Sequence, residues 1–311
     1  MKNHRYQLTL DKMKRIFTIL ACLLCVLVLN GQDIIVRKPS KKQPTTQTST
    51  AVKRQSTTTK PAKKTSAPAP TIGTSSYTPV VKTYEANGVS FQMVEVRGGT
   101  FTMGATSEQA SDAFDDEKPA HSVTLSSYYI GKTEVTQELW QAVMGSNPSY
   151  FKGNRKPVEK VSWEDCQTFI SKLNSLTGKN YRLPTEAEWE FAARGGIKSK
   201  GYKYSGSNTL GDVAWYLNNS GDTTHDVGTK SPNELGLYDM SGNVWEWCND
   251  WYGNYSSSPS NNPTGPSSGS DRVSRGGSFG NSARFYRSSN RGNYTPGLRI
   301  GGLGLRLCLS E

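Results

Sequence analysis

Apolar and polar positions divide the chain into three regions. The first contains one long apolar stretch, Ile16–Leu29, which is 14 residues long and follows three basic residues. A basic start and a short apolar run are typical of a secretory signal peptide, whereas a helix that spans a bilayer needs about 20 apolar residues. The pattern therefore predicts a signal peptide at residues 1–31, cleavage before Gln32 and an exported protein. The alternative is an uncleaved membrane anchor.

The second region, residues 32–85, is rich in Lys, Thr, Ser and Pro and has few large apolar side chains. Such a composition buries too little surface to offset chain entropy, so we predict a disordered stalk. Residues 1–82 carry 15 Lys and Arg against two Asp, whereas residues 83–311 carry 22 Lys and Arg against 24 Asp and Glu. The positive charge of the stalk suits contact with an anionic cell-envelope surface. Its cations are scattered among Pro and Thr, and we predict no nucleic-acid partner.

The third region, residues 86–311, is predicted to be one folded domain. Apolar residues recur at helical spacing after three capping residues, and Gly follows each of these segments. The predicted helices run from Thr136 to Met144, from Ser162 to Leu176 and from Thr185 to Arg194. Beyond Gly196 the apolar runs are short and separated by Gly and Pro, which predicts short strands and loops. We therefore expect an α+β domain of low regular secondary structure.

Cysteine is scarce in the folded region. Cys22 and Cys25 belong to the predicted signal peptide, which leaves Cys166, Cys248 and Cys308. Three thiols form at most one disulfide, and no two of them have the Cys-x-x-Cys spacing of zinc or thioredoxin-type sites. The sequence indicates neither a disulfide framework nor a cysteine-based zinc site.

Several multi-residue motifs occur in the folded region in a fixed order. They are Phe101–Gly104 with Asp116–His121, Pro157–Trp163 with Tyr181–Glu190, Asn233–Trp247, and Arg272–Ser278 with Gly304–Arg306. In this order and spacing they resemble the formylglycine-generating enzyme, or sulfatase-modifying factor, family over about residues 88–309. The resemblance implies a C-type-lectin-like α+β fold. Because one fold hosts several chemistries, the function must be argued from individual residues.

Tryptophan could bind sugars through its ring faces, but a large aromatic inside such motifs more often belongs to the core. We predict core positions for Trp163, Trp189, Trp245 and Trp247. The pattern does not decide between core and surface for Trp215 and Trp251.

The resemblance implies a copper-dependent cysteine oxidase in which two thiolates hold Cu(I). Soft Cu(I) needs sulfur ligands, which amide, methyl or hydroxyl groups cannot replace. The two family cysteines correspond to Asn281 and to Tyr286 or Ala283, and no cysteine occurs between Cys248 and Cys308. We therefore predict a protein that holds no copper and does not oxidise cysteine. An oxidoreductase of the formylglycine-generating type, with another sulfur arrangement, is the alternative.

A calcium site is the second implication of the resemblance. The family builds it from two side-chain oxygens and two backbone carbonyls on one glycine-containing loop, and hard oxygen ligands suit Ca²⁺. The corresponding residues are Asp239 and Glu246 for the side chains, and Gly242 and Val244 for the carbonyls. The alternative is that Asp239 and Glu246 pair with arginine or cap turns.

Residues 279–302 are predicted to bind a partner. Aromatic, amide and small residues mix there between two glycine-containing motifs, a composition typical of binding loops. The segment also resembles the variable region of proteins that diversity-generating retroelements mutate, which use the same fold. The predicted ligand-binding residues are Phe279, Asn281, Phe285, Tyr286, Asn290, Asn293 and Tyr294.

A binding segment should expose its aromatic rings and leave stability to its frame. We expect exposure of Phe279, Asn281, Phe285, Tyr286 and Tyr294, and we expect Arg306 to be tied into the fold. The sequence thus predicts an exported, non-catalytic binding domain whose ligand is an unknown protein or glycan. A structural component of the cell envelope is a third interpretation, because such a role needs only stable packing and an exposed edge.

Overall fold

The computed structural model of the chain describes residues 77–109 and 112–310. The predicted signal peptide and residues 32–76 of the predicted stalk lie outside these ranges. Strand β1, Val81–Ala86, already belongs to the folded domain, because it pairs antiparallel with the next strand. The predicted boundary at residue 86 is therefore several residues too late. Within the described ranges, no helix has the length and apolar character needed to cross a membrane.

Short strands outnumber helices in the domain. The remaining strands are β2 Val89–Val96, β3 Gly99–Met103, β4 His121–Leu125, β5 Tyr128–Gly131, β6 Tyr181–Arg182, β7 Trp245–Trp251, β8 Ser260–Asn261, β9 Arg272–Arg275, β10 Arg291–Tyr294, β11 Leu303–Leu305 and β12 Cys308–Leu309. The helices are α1 Gln137–Met144, α2 Trp163–Thr177, α3 Glu186–Ala193 and the single turn α4 Leu210–Val213. Short 3-10 turns occupy Asp115–Glu117, Gly196–Lys198 and Ala283–Tyr286. The predicted α+β class is confirmed.

Three curled sheets carry the strands. Their orders are β1-β2-β5-β12-β6, β10-β9-β7-β11 and β3-β4-β8. In the first sheet the last strand of the chain lies between two earlier strands, since Cys308 pairs with Ile130 of β5 and with Arg182 of β6. In the second sheet β11 runs parallel to β7, and β9 joins β7 to β10. Residues 279–302 thus lie between β9 and β11 in the chain and contribute β10 to the second sheet.

The three predicted helices begin directly after the capping residues that the sequence indicated. Thr136 caps α1 by accepting the Leu139 N–H, and α1 ends at Gly145 with a left-handed φ of 80°. Ser162 and Thr185 begin α2 and α3 with capping boxes, in which the third helical residue returns a hydrogen bond to the cap. The sequence did not indicate α4, because one turn is too short to show a helical period.

Three clusters of buried apolar side chains form the core of the described residues. One packs α1 and α2 against the first and second sheets, and in it the Trp140 and Phe169 rings stack 4.8 Å apart. Another surrounds α3, every residue of which is buried. A small third cluster packs Tyr286 against α4. Among the tryptophans of the motifs, those of α3 and β7 are buried as predicted, whereas Trp163 is half-buried. Trp163 differs because it opens α2 at the domain surface.

Candidate functional site

Residues 279–302 leave the second sheet through a tight turn. Gly276 and Gly277 have positive φ angles of 97° and 79°. A Cβ on Gly277 would lie 2.7 Å from the Tyr286 ring, so only glycine leaves room for that ring. The chain then forms the 3-10 turn Ala283–Tyr286 and strand β10 before it returns to β11.

The middle of this segment is buried. Tyr286 is 0% exposed, and its hydroxyl lies 2.5 Å from the Ser278 carbonyl oxygen and 2.7 Å from that of Asn281. Asn290 is also 0% exposed and donates from its amide to the Phe285 carbonyl at 3.0 Å. The predicted exposure of Tyr286 is therefore wrong, because its ring fills the space above Gly277 and its hydroxyl satisfies buried carbonyls. Asn290 is likewise buried and stabilises the fold, so its side chain is out of reach of a binding partner.

Buried arginines fix the middle of the segment to the rest of the domain. Arg287 donates from both terminal nitrogens to the Glu117 carboxylate, which also accepts the Ser289 hydroxyl at 2.5 Å. Arg291 binds Glu186 at 2.6 Å. Burial alone would raise the pKa of Glu117, but the hydrogen bonds from Arg287 hold it below its ordinary value. These pairs make residues 286–291 part of the stable frame.

The two ends of the segment reach the surface. Asn293 is exposed, and Phe279, Asn281, Phe285 and Tyr294 are half-buried. Phe285 and Tyr294 pack on the margin of the first core cluster, which fixes their rings. The predicted exposure is thus met in part, and these five residues are the predicted ligand-binding residues that a partner can reach.

Residues that sequence reasoning missed join Phe279 at the surface. The Phe279 ring packs edge-on against Phe151 at 5.0 Å, and Phe151 packs against Tyr150 at 4.9 Å. Tyr150 is 71% exposed, and Leu217 is 47% exposed. The Leu217 backbone N–H donates to the Asn281 carbonyl at 3.2 Å. These side chains come from loops without periodicity, so the sequence carried no signal that they meet Phe279.

Other chemical groups occupy the positions of the family thiols. The Asn281 carboxamide oxygen accepts hydrogen bonds from the N–H and the hydroxyl of Ser278, both at 2.9 Å. In the described part of the chain Cys166, Cys248 and Cys308 are unpaired and buried. Burial raises the pKa of each of these thiols, which disfavours the thiolate that binds metals or attacks substrates. None of the three is accessible for Cu(I) or for a peptide.

The loop predicted to bind calcium holds an ion pair instead at Glu246. The Arg306 guanidinium binds the two Glu246 carboxylate oxygens at 2.7 and 2.9 Å, and the Trp189 indole donates to Glu246 at 2.6 Å. Arg306 also donates to the Gly131 carbonyl at 2.7 Å, which agrees with its expected place in the frame. With both oxygens engaged beside a cation, Glu246 does not fit the predicted role of calcium ligand.

Asp239 lies in the same loop beside a second buried carboxyl. One of its carboxylate oxygens accepts the Gly228 N–H at 2.7 Å, and the Glu134 carboxyl shares a hydrogen bond with Asp239. Burial raises the pKa of Asp239 to about 6. Gly242 and Val244 follow in the turn that leads into β7. Of the two predicted side-chain ligands, Asp239 is the one that accepts no arginine hydrogen bond in the described residues, and the calcium site stays a prediction.

Another buried carboxyl lies across the domain, in a cavity of about 320 Å³. Asp250 in β7 accepts the Glu186 N–H at 3.1 Å, and burial together with the Glu186 charge raises the pKa of Asp250 to about 8. The ring of His121 packs against Tyr255 at the same cavity. In the residues that the structure describes, no group of three or more His, Cys, Asp or Glu side chains could hold a metal ion.

The chain is similar to known proteins over the whole described domain. Residues 78–310 match the model of the sulfatase-modifying factor enzyme 1-like domain. "Chaperone protein LppX" of Paenibacillus barcinonensis is 36% identical over 72% of the chain and 91% of that protein. The formylglycine-generating enzyme of Streptomyces coelicolor is 31% identical over 68% of the chain and 87% of the enzyme.

Solved structures show the same similarity. Treponema denticola variable protein 1 is 38% identical with a TM-score of 0.68, over 75% of this chain and all of that one. PvdO from Pseudomonas aeruginosa is 28% identical with a TM-score of 0.63, over 74% of this chain and 98% of that one.

Proposed function

Because the chain belongs to the sulfatase-modifying factor enzyme 1-like family, its departures from that family's chemistry carry information, and we propose that it is an exported, non-catalytic binding domain. Residues 279–302 present its ligand-binding surface. The observation that carries this proposal is the absence of accessible thiols in the described part of the chain, where Asn281, Ala283 and Tyr286 stand at the family's cysteine positions. Cu(I) chemistry has no ligands there.

The construction of the segment supports a binding role. Its buried middle is tied by arginine–glutamate pairs, and its ends expose aromatic and amide side chains on that rigid support. Rigid aromatic residues offer contact area at low entropic cost, and amide and small residues adapt their hydrogen bonds. The ligand is a protein or a glycan. The similarity to a Treponema protein named as variable supports diversification of the exposed positions.

The catalytic alternative is tested with a peptide that carries the sulfatase pattern Cys-x-Pro-x-Arg. The chain without residues 1–31 is incubated with this peptide, copper and oxygen, and the Streptomyces formylglycine-generating enzyme serves as the positive control. We expect no conversion of cysteine to aldehyde by mass spectrometry. Turnover above a reaction without protein would overturn the non-catalytic proposal.

The binding role is tested by selection. The same protein is used to pan a phage-displayed peptide library and to probe a glycan array. We expect it to select ligands that the triple variant Phe279→Ala, Asn281→Ala, Asn293→Ala no longer binds. The control variant Lys179→Ala changes an exposed residue beyond α2 and should bind like the wild type. Equal selection by the triple variant would show that residues 279–302 are not the binding surface.

A further inference from the structure

One arginine of the described residues is partly shielded from water without an ion-pair partner. In residues 77–109 and 112–310, seven arginines are buried or half-buried, and six of them form ion pairs with glutamate. The seventh, Arg272 at the start of β9, has no carboxylate oxygen within 4.0 Å in these residues. An arginine that is partly removed from water and lacks an anionic partner is costly, so its retention calls for an explanation.

Most hydrogen-bonding capacity of Arg272 is unused. One terminal nitrogen, Nη1, donates to the Asn249 carbonyl at 2.7 Å. Nε is buried without a partner, so a ligand can reach this guanidinium at its terminal nitrogens. The two terminal nitrogens carry four N–H donors, and the Asn249 carbonyl engages one of them, so donors remain there for a ligand.

Two indole rings flank this guanidinium. Its central carbon lies 3.9 Å from the ring centroid of Trp163 and 3.4 Å from that of Trp251. Both rings are fixed, because the Trp163 indole donates to the Cys248 carbonyl at 3.0 Å and Trp251 pairs with Arg272 across β7 and β9. Such stacking favours the planar cation and orients its edge. The rings close its faces, so a ligand must approach in the plane of the guanidinium.

The site adjoins the ligand-binding segment. Arg272 pairs with Tyr294 of β10, and the Trp163 N–H donates to the Pro296 carbonyl at 2.9 Å. Burial lowers the pKa of Arg272, and the charges of Asp250 and Glu164 only partly offset this effect. The positive charge of Arg272 is thus only partly neutralised by carboxylates of the domain, and it is available to a negatively charged partner.

We propose that Arg272, between Trp163 and Trp251, binds a carboxylate of an acidic polypeptide segment in the partner. The inference rests on the proposed function, since it specifies the chemistry of the partner that residues 279–302 bind. A carboxylate is planar and pairs with guanidinium through parallel in-plane hydrogen bonds. Phosphate and sulfate can also accept two hydrogen bonds from a guanidinium, so titrations with these ions must distinguish them from a carboxylate.

The test follows the Arg272 side chain by NMR. The ¹⁵N-labelled chain without residues 1–31 is titrated with capped tetraglutamate in 150 mM salt, and parallel titrations use inorganic phosphate and sulfate. We expect a saturable shift of the Arg272 Nε–H resonance with tetraglutamate and a weaker response to the tetrahedral ions. No saturable shift, or stronger binding of phosphate or sulfate, would overturn the carboxylate assignment.

Arginine variants distinguish a specific carboxylate site at Arg272 from a general attraction between opposite charges. Arg272→Lys keeps the charge but loses the planar fork, and we expect it to weaken tetraglutamate binding at least tenfold. The matched control is Arg155→Lys, an exposed arginine outside residues 279–302 that already pairs with Asp226 at 3.7 Å, and it should bind like the wild type. Equal binding by Arg272→Lys would overturn the inference. If that variant does not fold, the wild-type resonance decides alone.

Failure of this inference and failure of the proposed function give different results. A domain that selects ligands through Phe279, Asn281 and Asn293 but shows no carboxylate response keeps the proposed function and loses the Arg272 site. A domain that oxidises the cysteine peptide loses the non-catalytic proposal, whatever Arg272 binds.

Discussion

Glu246 shares its carboxylate between Arg306 and Trp189, and this arrangement limits what calcium can do at the loop. Glu246→Gln leaves Arg306 buried beside a neutral amide, so we expect a loss of about 3–5 kcal/mol in unfolding free energy with or without calcium. Thermal melts in Ca²⁺ and in chelator measure this loss. The control is Asp222→Asn at an exposed carboxylate, which should melt like the wild type.

In the described residues Asp239, unlike Glu246, accepts no hydrogen bond from an arginine. If the loop binds calcium, Ca²⁺ should raise the melting temperature by binding only the native state, and Asp239→Asn should remove that increment. Glu246→Gln should keep it. Loss of the increment in both variants would make Glu246 a ligand after all, and identical melts in calcium and chelator would refute the site.

Asp250 gives the domain a pH dependence of a predictable sign. Its folded pKa of about 8 lies above the unfolded value of about 3.9, so its stabilisation is complete at low pH and is lost as the pH rises towards 8. Burial and the carboxylates of Glu186 and Glu188 raise this pKa, while Arg291 lowers it. Asp250→Asn should flatten the fall in melting temperature between pH 5 and 9. Asp115→Asn, at an exposed carboxylate, should leave the fall unchanged.

The sequence predicted the burial of some single residues correctly and of others wrongly. Arg306 was expected in the frame, and it is buried there. Tyr286 was expected at the surface because it lies among Asn, Ser and Gly, yet the space that accepts its ring exists only after the chain turns at Gly277. Composition describes a segment as a whole and cannot show which of its residues the fold turns inward.

At the scale of elements, local signals in the sequence predicted the helices, but nothing in the sequence predicted which distant strands pair. The caps Thr136, Ser162 and Thr185 located α1, α2 and α3, because capping involves only the next three residues. Strand β11 pairs with β7, more than 50 residues earlier in the chain, and nothing in its own three residues encodes that partner. Likewise, Trp163, Trp251 and Arg272 meet only because three different elements converge.

The capping box of α2 allows a direct check at this scale. The Ser162 hydroxyl accepts the Asp165 N–H at 3.0 Å, and the Asp165 carboxylate accepts the Ser162 N–H at 2.9 Å. Ser162→Ala should lower the unfolding free energy by about 1 kcal/mol, measured by chemical denaturation. Thr168→Ala, on the exposed face of the same helix, should stay within about 0.5 kcal/mol of the wild type. Equal effects would show that the cap is not what stabilises the start of α2.

At the scale of the whole molecule, the last residues complete the largest sheet. Strand β12 lies between β5 and β6, so its removal leaves β6 without a strand partner and β5 paired only with β2. Deletion of residues 307–311 should therefore abolish cooperative melting, whereas deletion of Glu311 alone should not. Circular dichroism melts distinguish the two, and a truncated chain that still melts cooperatively would show that β12 is dispensable.

The order of these parts along the chain has a genetic consequence. The exposed ends of residues 279–302 are encoded before β11 and β12, so a stop codon or a frameshift introduced there also destroys the strands that follow. Such a product lacks β11 and β12, and we expect it not to fold, whereas an in-frame substitution leaves those strands intact. Only genes with an intact reading frame through residues 279–302 should therefore yield folded protein.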